Sequence, residues 1–299
     1  QARFRHGKLL REELLDVQHR FTERKLVDRA KGILMRVRNI SEDEAYKVLR
    51  TAAMQAKQRI GQVAHQVIDA THYAEAVNRA GQLRMLSQRL VKLYALMCAN
   101  VTPEVSTALC MESVQHIETN LAILGRTLSK QTFGDLLDAV LAPWAPLKAA
   151  MRIAPTIEHL PEIDRLAERL LVHAEQLTKT LENAGFAAAL HVINVSGRQR
   201  MLSQRLAKHA IVASLVVGEA AVINKQAAQA TEAAFVEGLA YLEAVPLSSP
   251  EIALGWPRRV RPGCVSALPL PTARPGRARR DRRFERDAAV LFRRADRAL

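Results

Sequence analysis

An all-α fold is what this sequence predicts, on three observations. Aromatic residues make up only 4% of the 299 residues, and the 48% apolar fraction is dominated by Ala, Leu and Val, a composition suited to close-packed helices rather than to strands. Apolar residues recur at spacings of three and four in one segment after another. Proline and glycine fall between those segments, at Pro103, at the Pro143 to Pro146 corner, at Pro155 and Pro161, and at Gly185. The length corresponds to about two domains and excludes a small disulfide-stapled fold.

The first element is a helix over residues 8–21, in which Leu10, Leu14, Val17 and Phe21 alternate spacings of four and three between Arg and Glu. That is the seam of a short coiled coil, and a homodimer is its natural use; a helix end packing on a neighbouring domain has the same pattern. The helix continues through Leu26, Val27, Ala30, Leu34 and Met35 and stops at Arg38-Asn39. Ser41 then caps a second helix, Glu44 completing a capping box, with Ala45, Val48, Leu49 and Ala52 as the apolar face. A third short helix is expected from about Ala56 to Ile68, with Ile60, Val63, Ala64 and Val67 inward. Four longer helices follow at roughly 103–129, 132–151, 158–184 and 219–244.

Charge is uneven along the chain, and the formal total of +14 hides this. Residues 1–19 carry 4 basic and 3 acidic groups, 20–70 carry 11 and 6, 71–255 carry 16 and 17, and 256–299 carry 13 and 4. A polyanion is therefore drawn to the second segment or to the tail. In the tail every basic residue is Arg, and Ala, Arg, Gly and Pro fill 27 of 44 positions, which cannot build a core. It reads either as a disordered basic arm or as a stretch translated in a shifted frame. The expected domains are 1–21, 22–71, 72–245 and 246–299.

Within 22–71, Arg24, Lys25, Arg29, Lys31, Arg36 and Arg38 surround the first helix and its exit turn, and Lys47, Arg50, Lys57 and Arg59 come from the other two. Several can converge on phosphates; a solvated basic face is the alternative. Tyr46 is the one ring there, so recognition would rest on shape and backbone as well as on base edges. The run Glu23-Arg-Lys-Leu-Val-Asp-Arg-Ala-Lys-Gly-Ile-Leu-Met35, then Ser41-Glu-Asp-Glu-Ala-Tyr46, Leu49-Arg50 and Ala53-Met54, resembles the ANTAR domain over about 50 residues. The resemblance implies a three-helix module that binds paired RNA stem-loops as a dimer, behind a coiled coil and a receiver domain. Gln1 onward resembles the last helix of such a receiver, and the receiver's phosphorylation site is absent from this chain.

One internal repeat occupies residues 72–245. Asn78-Arg-Ala-Gly-Gln-Leu-Arg-Met-Leu-Ser-Gln-Arg-Leu-Val-Lys92 matches Asn194-Val-Ser-Gly-Arg-Gln-Arg-Met-Leu-Ser-Gln-Arg-Leu-Ala-Lys208 at ten of fifteen positions, at an offset of 116. So long a period fits two halves of a pseudo-symmetric helical bundle. Gly81, Arg84 and Gln88 share a helical stripe, as do Gly197, Arg200 and Gln204. Each mid-helix glycine costs about 1 kcal/mol relative to Ala, which close approach of a helix or ligand would explain.

If the two helices face each other, Arg84 and Arg200 point at one place, where their planar donor forks suit a small planar oxyanion. Ser87, Gln88, Ser203 and Gln204 add neutral donors, and the alternative is that each Arg pairs with a nearby Glu. The motif resembles the type IV pili methyl-accepting chemotaxis transducer N-terminal domain, and it is similar to the nitrate-binding helix of nitrate and nitrite sensors. That resemblance implies nitrate or nitrite contact by Arg84 and Arg200, leaves the roles of Arg89 and Arg205 open, and points to nitrate-responsive antiterminators.

Other chemistry finds no foothold. Cys98, Cys110 and Cys264 are widely spaced with no CxxC, which predicts a reducing, cytoplasmic setting and no disulfide framework. The nine histidines show no metal-ligand spacing, and no catalytic triad, Walker loop or GxGxxG is present, so neither an enzyme nor a cofactor is expected. The longest apolar stretch, Ile211 to Ile223, is too short for a membrane span and carries Glu219. The expected function is a ligand-responsive RNA-binding antitermination regulator, the alternative being a helical scaffold that binds proteins and no RNA.

Overall fold

The structure, a computed structural model, describes residues 2–185 and 187–244. Among these all regular structure is helical: α1 (Ala2–Arg38), α2 (Glu42–Ala56), α3 (Ile60–Cys98), α4 (Pro103–Thr127), α5 (Lys130–Ala150), α6 (Leu160–Ala184), α7 (Ala187–Leu215) and α8 (Glu219–Ala244). The chain divides into two compact units, one up to Ala74 and one from Glu75. The expected Arg-rich tail, 246–299, lies outside the described residues.

In the first unit α1 stops where Asn39 takes a left-handed φ of 50°. Ser41 then caps α2 as a full capping box: its hydroxyl accepts from the Glu44 N–H, and the Glu44 carboxylate accepts from the Ser41 N–H at 2.9 Å. Lys57, also left-handed, closes α2 by donating its N–H to Ala53 and Met54 carbonyls. Val27, Ala30 and Ile33 from α1, Leu49 and Ala53 from α2, and Val63, Ala64 and Ile68 from α3 form the core. The seam residues Leu14, Val17 and Phe21 on α1 are about 60% exposed, an apolar stripe that the unit does not cover.

The expected short third helix is corrected here. α3 runs for 39 residues, beginning in the first unit and ending in the second. No Pro or Gly interrupts it between Gln62 and Ala80, the Thr71 hydroxyl turns back onto the Val67 carbonyl, and Ala76, Val77 and Ala80 are buried. The helix-weak residues around Thr71 are outweighed by that packing.

A second correction concerns the Pro143 to Pro146 corner, which does not separate helices but lies inside α5, the helix ending at Ala150 much as the expected 132–151 helix does. Each proline removes a helix donor, yet Phe133, Leu137, Val140, Pro143, Trp144 and Leu147 form one buried face that holds the helix together. α4 opens on Pro103 and α6 carries Pro161 in its first turn, positions where the missing N–H would be unpaired anyway. The second-unit core is built on Leu83, Leu86, Leu90 and Leu93 of α3 and on Ile163, Leu166, Leu170, Ala174, Leu177 and Leu181 of α6. α8 lies along α7, joined by a His209–Asn224 hydrogen bond and an edge-on His191–Tyr241 ring contact at 5.1 Å.

Candidate functional site

Both copies of the repeated motif are helical, one in the middle of α3 and one in α7. Arg84, the largest fully buried side chain, donates through Nη2 to the Asn194 carbonyl at 3.4 Å. Arg200 donates through Nη2 to Asn78 Oδ1 at 2.7 Å. The arginine of each copy thus reaches the asparagine that opens the other, as two helices related by a pseudo-two-fold would have it.

The glycines account for the closeness. A Cβ on Gly81 would lie 3.1 Å from Arg84 Nη2, and a Cβ on Gly197 would lie 3.3 Å from the same nitrogen and 3.7 Å from Arg200 Nη2. What approaches the two glycines is therefore a guanidinium, and the two arginines meet over Gly197. Burial, and after it the Arg84 charge alongside, lowers the pKa of Arg200.

The symmetry is broken by one carboxylate. Arg84 Nη1 donates to Glu175 Oε2 on α6 at 2.5 Å, whereas Arg200 pairs with no carboxylate among the described residues. The Glu-paired alternative thus holds for one arginine of the two, and the expectation of two equivalent arginines is corrected. Arg84 Nε is buried with no hydrogen-bond partner among the described residues. An unpartnered donor beside two convergent cations is an arrangement that a small anion satisfies.

The remaining anion-site candidates divide. The Ser87 and Ser203 hydroxyls make the same local bond, each donating at 2.8 Å to the carbonyl three residues back, Arg84 and Arg200 respectively, so each already has a backbone partner. Gln88 and Gln204 are buried, and each has an amide oxygen without a partner. Rotating that amide presents a donor in its place. Arg89 and Arg205 are not brought to the pair: Arg89 faces Glu112 of α4 at 3.9 Å, and Arg205 binds Glu168 of α6 at 3.1 Å. Beside Arg205, the fully buried Lys208 binds Asp164 and Glu168, each at 2.7 Å, so this end of the motif is a closed ion-pair network.

In the first unit Arg24, Lys25, Arg29, Arg36, Arg38, Lys47 and Arg50 are exposed. Lys31 is different: Asp28 and Glu42 hold it at 2.8 and 2.7 Å, the side chain is 16% exposed, and its pKa is raised by those two hydrogen bonds. It ties α1 to α2 and is a poor candidate for RNA contact. Arg29 is shared with His72 at 2.9 Å, and Lys25 stacks over Phe21. On α2 the exposed Tyr46, Lys47, Arg50 and Met54 fall within one 100° sector, a basic face with a ring at its edge, and Lys57 follows at the C-cap.

Two families match the chain. The ANTAR domain matches residues 15–68, and the type IV pili methyl-accepting chemotaxis transducer N-terminal domain matches 69–190 and 187–254, well over half of the chain. The chain belongs to the second family and carries an ANTAR domain ahead of it. No curated protein and no solved structure matches. The ANTAR domain supports an RNA-binding antitermination regulator, and the transducer domain a sensor; both are regulatory families. Among the described residues no helix is long and apolar enough to cross a membrane.

Three residues of the transducer domain's site escaped the sequence reading. Asn78 and Asn194 stand at the head of each repeat, and their identity in both copies was the available signal. Glu175 had none, since it lies outside the repeat on a helix whose charged residues all look like solvent-facing ones.

Proposed function

We propose that this protein is a cytoplasmic antitermination regulator whose transducer domain binds nitrate or nitrite between Arg84 and Arg200, and that occupancy controls how a homodimer presents its ANTAR domains to RNA stem-loops. The observation that carries this reading is the meeting of two guanidiniums over Gly197 with a single carboxylate, paired to Arg84 alone. Like charges at close quarters favour whatever anion bridges them. Arg36, Arg38, Lys47 and Arg50 are the residues proposed to meet RNA phosphates, with Arg24, Lys25 and Arg29 beside them.

Coupling requires that the anion bind one arrangement better than the other, typically by about 1–3 kcal/mol. The test is binding of a structured stem-loop RNA to the whole chain at fixed ionic strength, with nitrate or with chloride. The reading predicts an affinity that falls as salt rises, changes by about 5-fold or more on adding nitrate, and is lost in the Arg36→Glu/Arg50→Glu double variant. No salt-sensitive RNA binding by the parent would move the assignment to the protein-binding scaffold, and RNA binding unchanged by the double variant would remove Arg36 and Arg50 from the interface.

A further inference from the structure

The groups in direct contact at the arginine pair fix its charge. Arg84 and Arg200 supply two positive charges, and Glu175, bound to Arg84 Nη1 at 2.5 Å, supplies one negative charge. Glu182, two turns further along α6, is held by His191 and Asn194 and touches neither guanidinium. Asn78 and Asn194, the other hydrogen-bond partners of the two guanidiniums, are neutral. The contact set therefore carries one uncompensated positive charge, centred on Arg200.

Burial gives that number its force. Arg84, Gln88 and Gln204 are almost completely shielded from water, and Arg200 is half-buried. In such a place net charge is costly, so the favoured occupant brings the total to zero. One monovalent anion does this. A divalent anion of similar size leaves a net negative charge unless it also displaces Glu175 from Arg84.

We propose that Glu175 is the valence-determining residue of this site: it neutralises one of the two arginines, so that the site accepts a monovalent oxyanion and rejects a divalent one. The inference rests on reading Arg84 and Arg200 as an anion site. Glu175 lies at the rim, with 38% of its side chain accessible, while its partner Arg84 is fully buried.

The test uses the whole chain with sodium nitrate and sodium sulfate as probes, ionic strength being held constant with chloride. Thermal unfolding and titration calorimetry are measured for the parent, Glu175→Gln and Glu175→Asp. The parent should respond to nitrate and not to sulfate. Glu175→Gln, which raises the contact charge by one, should bind sulfate about tenfold or more tighter than the parent does. Glu175→Asp keeps the charge and should keep the parent's discrimination. If Glu175→Gln folds only once sulfate is added, that supports the proposal equally.

Three results overturn it. A nitrate-responsive Glu175→Gln that ignores sulfate as the parent does leaves the anion site standing and removes the role of Glu175. Failure of Glu175→Gln to fold in sulfate or nitrate does the same when the parent responds to nitrate. A parent and a variant both blind to the two anions remove the anion site itself, and this inference with it.

Discussion

Replacing Gly197 with Ala puts a methyl group where the two arginines meet. Taken alone, Gly→Ala inside a helix is stabilising by about 0.8–1.0 kcal/mol. Here the methyl would lie 3.3 Å from Arg84 Nη2 and 3.7 Å from Arg200 Nη2. Arg84 is not free to retreat, since Glu175 holds Nη1 at 2.5 Å and the side chain is fully buried. Overfilling a packed site costs about 1–3 kcal/mol, so the net expectation is a loss of about 0–2 kcal/mol together with loss of the response to nitrate. Gly125 in α4 and Gly134 in α5 are the controls, because a Cβ there would meet nothing within 4 Å. Each of those replacements should gain about 0.8–1.0 kcal/mol. Denaturant unfolding followed by circular dichroism reads all three. If Gly197→Ala gains stability as the controls do and still responds to nitrate, no guanidinium fills that space and the geometry of the pair is wrong.

Ser41→Ala removes the hydroxyl that accepts from the Glu44 N–H, leaving the backbone N–H of residue 41 to the Glu44 carboxylate, and should destabilise the ANTAR domain by about 1 kcal/mol in the same assay. Burial first, then the neighbouring Lys208 charge, holds His209 below its ordinary pKa of 6.5. Its contribution to stability is therefore complete above pH 6.5 and is lost as the pH falls through the folded value, so the melting temperature should drop on acidification and His209→Gln should flatten that part of the curve. Val17→Glu places a charge in the exposed Leu14, Val17 and Phe21 stripe and should convert a dimer to monomer in sedimentation equilibrium at micromolar concentration; an unchanged dimer would place the interface elsewhere.

Much of the fold was legible because it is written in local signals. The Ser41–Glu44 box, the turn at Asn39 and the ends of α4, α6 and α8 all depend on a few neighbouring residues. The errors came where tertiary packing overrides a local preference. Buried Ala76, Val77 and Ala80 carry α3 past its expected end, and the buried face around Pro143 and Trp144 carries α5 through two prolines.

At the site, the pairing of Arg84 with Arg200 was readable because a duplicated motif implies a two-fold relation. Periodicity also put Gly81 and Gly197 on the right stripes. Glu175 was not readable, because nothing in one sequence says which of many α6 carboxylates faces α3. For the same reason the closed network of Lys208, Arg205, Asp164 and Glu168 gave no warning that Arg205 is taken.

The most direct measurement is nitrate binding to the whole chain, read by titration calorimetry and by thermal unfolding, in the parent, Arg84→Ala and Arg200→Ala. A hundredfold excess of ligand over its dissociation constant stabilises the state that binds it by about 2.7 kcal/mol, which is roughly 5–10 °C for a domain of this size. The parent should show that shift with nitrate or nitrite and far less with chloride, and both variants should lose it. Their baselines should differ: Arg84→Ala strands Glu175 and melts lower, whereas Arg200→Ala loses one bond to Asn78 and relieves the repulsion between the arginines. A parent that does not respond to nitrate or nitrite, or an undiminished response in either variant, would contradict the account.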